Sequence, residues 1–277
     1  MTANEDQIKF WNEKAGRDWT ELQERMDTNL STMHDAIMAF AAPRPGETVL
    51  DIGCGTGTTT LALADAVGAG GRVTGLDISE PMLGLARQRA KGRENMSFVL
   101  ADASAHPFKP EHDLLFSRFG VMFFDDPVPA FANLRRALKP GGRMAFICWR
   151  TPKENLWASA PLAAARPFLP ETPPADPLAP GPFAFSDPER VTSLLGAAGF
   201  SGIRIEKHDS VMNMGRDLGL AAAYTLRIGP LSRAAADLDE PVRTKIAQAV
   251  NGALASFVAG NGDVAPPAAC WLVAARA

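Results

Sequence analysis

Cysteine is scarce in this chain of 277 residues, which has only Cys54, Cys148 and Cys270. The three lie far apart, and no C-x-x-C pair occurs. This pattern excludes a zinc knuckle and a disulfide framework, because both need paired or regularly spaced cysteines. We predict that the three thiols are small, buried, apolar side chains.

The sequence also lacks a basic run and a long apolar run. Its net charge is −3, which argues against a nucleic-acid partner because clustered cations bind phosphate backbones. No apolar stretch approaches the roughly 18 residues that a membrane span needs. Residues 1–9 are polar, unlike a secretory signal. These features predict a soluble, cytoplasmic protein.

The most informative segment is residues 49–57, VLDIGCGTG, in which an apolar run ends in an acid and three glycines follow. The pattern predicts a strand, a tight turn and a helix start, because glycine allows positive φ and close approach of a ligand to the main chain. The spacing G-x-G-x-G differs from the G-x-G-x-x-G of dinucleotide-binding folds. The carboxylate of Asp51 would repel a pyrophosphate, and it suits a cationic or amine-bearing ligand.

Strands and helices alternate along most of the chain. Apolar runs predict strands at 48–52, 73–78, 97–100, 114–117, 143–149, 203–211 and 268–275. Helical patterns between the strands predict an α/β fold with a doubly wound, mostly parallel sheet. Asp51, Asp77, Asp102 and Ser117 lie at or near the ends of four successive strands. Ligands of such sheets bind beyond the carboxyl ends of the strands, so these four residues predict a site there.

The pattern divides the chain into four parts. Residues 1–42 are predicted as an N-terminal helical cap, and residues 43–150 as a ligand-binding core. Residues 151–186 are rich in proline, which interrupts helices and ladders, and are predicted as a loop or lid. Residues 187–277 are predicted to complete the core with the last two strands and to carry a helical insert at about 216–260.

The glycine turn, the acids at the strand ends and the KPGGR segment at 139–143 together resemble the class I S-adenosylmethionine-dependent methyltransferases. The resemblance covers most of the chain and is specific over residues 46–150. It implies a Rossmann-like, seven-stranded fold in which residues 43–150 bind the cofactor. It also implies S-adenosylmethionine as cofactor, S-adenosylhomocysteine as product and a small molecule as methyl acceptor.

The resemblance implies a site for the methionine portion of the cofactor around the glycine turn. The residues implied to contact this portion are Gly53, Cys54, Gly55, Ser117 and Arg118. Asp51 would interact with the amino group, directly or through water. Arg118 would face the carboxylate, or it is an ordinary surface arginine.

The resemblance implies a nucleoside site one strand further along. Asp77 would accept both ribose hydroxyls, since its two oxygens match a vicinal diol. Ile78 and Met82 would flank the adenine ring. Asp102 would accept from the adenine amino group, and the Ala103 amide would bind a ring nitrogen.

Two tryptophans of the N-terminal region are candidates for a cover over the cofactor. Trp11 and Trp19 are eight residues apart, about two helical turns. A sulfonium is a cation, and cation–π attraction would favour aromatic side chains beside it. The alternative is that both tryptophans only pack a helix against the sheet.

Aromatic and apolar residues follow the fourth and fifth strands. Phe119, Met122, Phe123 and Trp149 are predicted to line an acceptor pocket, with ordinary core packing as the alternative. His34 and Tyr224 are the candidates for a general base, should the acceptor need to lose a proton. No spacing of ligand residues indicates a metal site.

The function predicted is direct transfer of a methyl group to O, N or C of a small, partly apolar molecule. One alternative is an NAD-type oxidoreductase, which shares the fold class and an acid after the second strand. Another is a regulatory protein that keeps the cofactor pocket without catalysis. A homo-oligomer is compatible with the sequence.

Overall fold

The computed structural model describes residues 4–171 and 176–277. Its strands are β1 (Thr48–Ile52), β2 (Arg72–Asp77), β3 (Met96–Leu100), β4 (His112–Arg118), β5 (Leu138–Trp149), β6 (Ser201–Val211) and β7 (Pro267–Arg276). They form one seven-stranded sheet in the order β3-β2-β1-β4-β5-β7-β6. The first five strands pair in parallel, and β7 runs antiparallel to both β5 and β6. The predicted doubly wound α/β fold with a mostly parallel sheet is confirmed.

Helices surround this sheet. Within the described ranges they are α1 (Glu5–Asn12), α2 (Lys14–Glu21), α3 (Gln23–Asn29), α4 (Ser31–Ala41), α5 (Thr58–Val67), α6 (Glu80–Arg89), α7 (Pro127–Arg135), α8 (Leu156–Ala165), α9 (Pro188–Ala197), α10 (Leu218–Thr225), α11 (Pro230–Ala234) and α12 (Glu240–Leu254). Helices α1–α4 correspond to the predicted helical cap, and α10–α12 to the predicted insert. The division of the chain into cap, core, lid and insert stays a prediction.

The core lies along the central strands of the sheet. Leu50 on β1, Leu115 on β4 and Phe146 on β5 are almost completely buried. Central parallel strands are apolar on both faces because helices cover both faces. The edge strand β6 instead alternates between exposed and half-buried residues. The carboxyl ends of β1 and β4, which are neighbours, mark the place where the strand order changes direction.

The prediction of a loop over residues 151–186 is wrong for its first half. Leu156–Ala165 form helix α8, with Pro161 inside it. The alanines of this segment favour a helix, and packing against α11 and α12 compensates for the hydrogen bond that proline removes. Pro173 and Pro174 lie outside the described residues, so the second half is described at residues 169–171 and 176–186.

The boundary between α7 and β5 also differs from the sequence pattern. The helix ends at Arg135, and the strand begins at Leu138, before the KPGG segment rather than after it. Leu138 pairs with His112 of β4, and a register shift follows. Gly141 has a φ of 79°, so the irregular backbone falls inside the strand.

The scarce cysteines behave as predicted, because Cys54, Cys148 and Cys270 are free and buried. Over the described parts of the chain, none of the helices has both the length and the apolar character needed to cross a membrane.

Candidate functional site

The glycine turn after β1 lies at the carboxyl end of this central strand. Gly53, Gly55 and Gly57 have φ values of 65°, 54° and 84°, which other residues rarely adopt. A Cβ on Gly53 would lie 2.7 Å from the Cα of Gly120. Position 53 therefore requires glycine for two reasons: its positive φ, and the close approach of the turn after β4.

A cavity of about 630 Å³ lies above the carboxyl ends of the strands. Its wall over β1, β2 and β3, which we call the polar end, contains Gly53, Gly55, Asp77, Asp102 and, from the end of β4, Arg118. Its wall beyond β4 and β5, which we call the aromatic chamber, contains Phe119, Trp149, Trp157 and Phe183. The sequence-predicted residues Ile78, Met82, Ala103, Met122 and Phe123 also line the cavity.

Asp77 is held by main-chain groups at the end of β2. One oxygen accepts from the amide of Ser79 and the other from the amide of Gly55, both at 2.8 Å. Burial raises the pKa of this carboxyl, and the two N–H donors oppose that rise. A carboxylate oxygen can accept about two hydrogen bonds, so each one has capacity left for a ligand hydroxyl.

Two buried groups near the glycine turn have no hydrogen-bond partner in the described structure. They are Oδ1 of Asp51 and Nη1 of Arg118. The other oxygen of Asp51 accepts from the hydroxyls of Thr59 and Thr60, at 2.6 and 2.7 Å. Burial raises the pKa of Asp51 to about 6. Unpartnered buried polar atoms are costly, and of these two residues Arg118 lines the cavity whereas Asp51 does not.

The aromatic chamber is a continuous set of ring contacts. Phe119 stacks on Trp149 with ring centroids 4.1 Å apart and planes 7° apart. The ring centroids of Trp149 and Trp157 are 4.8 Å apart, and those of Trp157 and Phe183 are 6.5 Å apart. Phe119 has a φ of 64°, an uncommon backbone conformation that directs this stack from the end of β4.

Helices α1 and α2 provide part of the roof. Trp11 makes edge-to-face contacts with Trp19 at 5.7 Å and with Phe123 at 5.3 Å, and all three line the cavity. The main-chain oxygen of Trp11 accepts from the Ser79 hydroxyl at 2.7 Å. The two tryptophans are therefore placed at the cavity, as a cover over the cofactor requires, and they also pack the cap against the loop after β2.

Four predicted site residues do not line the cavity. Asp51 is buried on β1, Cys54 is buried within the glycine turn, and His34 lies on α4. The Ser117 hydroxyl donates to the Ile52 carbonyl at 2.8 Å and accepts from the Gly120 amide at 3.1 Å. Ser117 thus positions the two turns that form the cavity floor.

Of the two candidate bases, Tyr224 lines the cavity and His34 does not. The Tyr224 hydroxyl, however, donates to Sδ of Met26 at 2.7 Å, and burial raises its pKa well above the usual range. Burial lowers the pKa of His34, and the nearby charge of Arg118 adds to that effect. Neither group has the environment of a base that is placed beside an acceptor.

Several cavity residues were missed from the sequence. They are Phe10, Trp157, Phe183, Arg227 and Arg233. They come from segments far apart along the chain that meet only in the folded protein, and none belongs to a motif. Among the described residues, no group of three or more His, Cys, Asp or Glu could hold a metal ion.

Comparison with known proteins identifies the domain. Residues 49–142 match the family described as "Methyltransferase domain". A demethylmenaquinone methyltransferase of Staphylococcus aureus is 37% identical over 121 residues, which are 43% of this chain and 49% of that protein. The chain thus spans about half the length of the curated relatives it matches.

Solved structures share the fold at low sequence identity. The YcgJ protein of Bacillus subtilis superimposes with a TM-score of 0.59 and 19% identity, covering 89% of this chain and 98% of that one. Phosphoethanolamine N-methyltransferase 2 of Haemonchus contortus, in complex with S-adenosylhomocysteine, has a TM-score of 0.53 and 20% identity over 88% and 52% of the two chains. Residues 49–142 are therefore similar to a methyltransferase domain, and the solved structures show that the chain shares their fold.

Proposed function

We propose that the protein binds S-adenosylmethionine at the polar end and transfers its methyl group to O, N or C of a small, partly apolar molecule held in the aromatic chamber. The observation that carries this proposal is the environment of Asp77. This residue lines the cavity, and each of its carboxylate oxygens accepts one hydrogen bond from a main-chain N–H. That arrangement leaves acceptor capacity for two vicinal hydroxyls.

The other residues of the polar end fit the remaining parts of this cofactor. Asp102 lines the cavity beyond β3, and its Oδ1 accepts from the Ser104 amide at 2.8 Å, which leaves Oδ2 for an adenine amino group. Ile78 and Met82 would lie against the ring. The unpartnered Nη1 of Arg118, which lines the cavity, would take the carboxylate of the methionine portion, and Asp51, which does not line it, would interact with the amine through water.

The cofactor supplies an activated methyl group on a sulfonium, so the protein's part is alignment and exclusion of water. Orientation of two reactants can lower a barrier by roughly 7–11 kcal/mol at best. The walls of the aromatic chamber would hold a flat or apolar acceptor and keep water out. No histidine, lysine or cysteine is found among the described lining residues, and the carboxylates among them are Asp77, Asp102 and Asp176.

Isothermal titration with S-adenosylhomocysteine tests the cofactor assignment. We expect micromolar binding, and we expect NADH to show none. Tight binding of NADH with no response to S-adenosylhomocysteine would instead favour the oxidoreductase.

Transfer of a labelled methyl group tests the activity. A panel of phenols, quinones, amines and thiols is incubated with the protein and S-adenosylmethionine carrying a radioactive methyl. We expect turnover with at least one aromatic member. Binding of the cofactor without turnover on any member would contradict the enzymatic proposal and favour the regulatory alternative.

A further inference from the structure

The cavity contains three arginines, and they differ in how their charges are balanced. Nε of Arg227 donates to Asp18 at 2.9 Å, and the same guanidinium pairs with Glu21. Nη2 of Arg118 lies 3.9 Å from Oδ1 of Asp27. Arg233 has no carboxylate within 4.0 Å of its nitrogens in residues 4–171 and 176–277. Its charge is therefore the one in the cavity without an anionic neighbour.

The guanidinium of Arg233 is nonetheless held in place. It lies over the ring of Phe10, with 4.0 Å between the guanidinium carbon and the ring centroid. Both residues line the cavity, Phe10 from α1 and Arg233 from α11. The ring covers one face of the planar group, while its N–H donors point outward in the plane of the group.

The position of Arg233 combines partial burial with access. It is an exposed residue that also lines the cavity, so it stands at the cavity mouth. Burial of part of the side chain lowers the pKa of the guanidinium, which stays charged at physiological pH. A partly desolvated cation with unused donors favours an anion more strongly than a fully hydrated one does.

We propose that Arg233 determines specificity for an acidic acceptor: a small, flat, apolar molecule that carries a carboxylate. The rings of the aromatic chamber would hold the apolar body, and Arg233 would bind the carboxylate at the mouth through paired N–H donors. This inference rests on the proposed function, since it names the class of molecule that the methyltransferase would modify.

Matched acid and amide pairs test this specificity. Native protein saturated with S-adenosylhomocysteine is titrated with 2-naphthoate and 2-naphthamide, benzoate and benzamide, and cinnamate and cinnamamide. In at least one pair we expect the acid to bind about tenfold more tightly than the amide, with a smaller ratio at high salt. If no pair shows acid preference, including the case where none binds, the inference is overturned.

Variants assign the preference to one side chain. Arg233→Met should reduce the acid-to-amide ratio to about one, and Arg233→Lys should keep part of it. Arg204 provides the control, because its guanidinium also lies over a phenylalanine ring, Phe40 at 4.6 Å, but outside the cavity. Arg204→Met should keep the full ratio. A ratio that survives in Arg233→Met contradicts the inference.

The two proposals fail in different ways. Loss of acid preference while S-adenosylhomocysteine still binds the native protein would remove only the role of Arg233. Absence of S-adenosylhomocysteine binding to the native protein would remove the proposed function itself.

Discussion

The polar end and the aromatic chamber share one cavity but are built differently. The polar end comes from residues 51–118, and its carboxylate Asp77 is fixed by main-chain amides of nearby turns. The chamber and the roof come from α1 and α2, from Phe119 after β4, from residues 149–157 and 176–186, and from α10 and α11. A cofactor site can thus be fixed by short local motifs, whereas the acceptor site depends on how distant segments pack together.

The largest effect should follow removal of the Asp77 carboxylate. In Asp77→Ala both ribose hydroxyls would lose a charged acceptor, and the amides of Gly55 and Ser79 would lose their partner. We expect affinity for S-adenosylhomocysteine to fall at least about 100-fold, measured by calorimetry. Asp113→Ala is the control, since that carboxylate lies at the start of β4 and pairs with Lys139. Unchanged affinity in Asp77→Ala would remove the ribose assignment.

A substitution in the aromatic chamber should affect turnover without affecting cofactor binding at the polar end. Trp149→Leu removes the ring that stacks on Phe119, and we expect kcat/KM for an aromatic acceptor to fall roughly tenfold. Binding of S-adenosylhomocysteine should stay within about twofold, because the polar end is intact. Trp271→Leu, on neighbouring β7 and outside the cavity lining, should change neither. A loss of cofactor affinity as large as the loss of turnover would contradict the division into two ends.

The pH dependence of stability tests the burial of Asp51. Burial raises the pKa of Asp51 from the ordinary aspartate value of 3.8 to about 6, so the folded protein holds an extra proton between these pH values. Stability contributed by this group is therefore present at low pH and is lost as pH rises through about 6. The shift corresponds to roughly 3 kcal/mol in the free energy of unfolding.

Urea unfolding of Asp51→Asn measures this effect. Relative to the native protein, the variant should gain stability between about pH 4 and pH 7.5, by up to roughly 3 kcal/mol. Asp113→Asn should show the opposite trend. Although burial opposes it, the hydrogen bond from Lys139 lowers the pKa of Asp113, and this stabilisation is lost in acid. Parallel curves for Asp51→Asn and the native protein would contradict the assigned burial.

The smallest effects are expected at the two candidate bases. Tyr224→Phe removes a hydroxyl that donates to Met26, and His34→Gln changes a side chain outside the cavity lining. We expect kcat to change less than about threefold in each, measured across neutral pH. Loss in either variant of the acidic limb of the pH–rate profile, where the rate falls as a base becomes protonated, would restore that residue as a base.

The core of the fold could be predicted because its signals are local. The glycine turn at 53–57 and the acids at Asp77 and Asp102 follow apolar runs, and each run forms a strand in the structure. Helix α8 could not be predicted in this way, because Pro161 argues against a helix, and packing against α11 and α12 compensates for the hydrogen bond that proline removes. Tertiary contacts here override local preference.

In the site, too, the residues that belong to local motifs could be predicted, and those brought together only by folding could not. The predicted nucleoside contacts Asp77, Ile78, Met82 and Asp102 all line the cavity, because each belongs to a strand end or to the helix after it. The missed residue Arg233 comes from a five-residue helix of the insert and has no motif around it. Arg233 contacts Phe10 of α1 only in the folded protein, and the spacing of residues along the sequence does not reveal this contact.

A crystal structure of the protein with S-adenosylhomocysteine would locate the cofactor in the cavity. We expect the ribose hydroxyls on the Asp77 carboxylate and the sulfur facing the Phe119–Trp149 stack. A ligand bound elsewhere, or a ribose turned away from Asp77, would contradict this expectation.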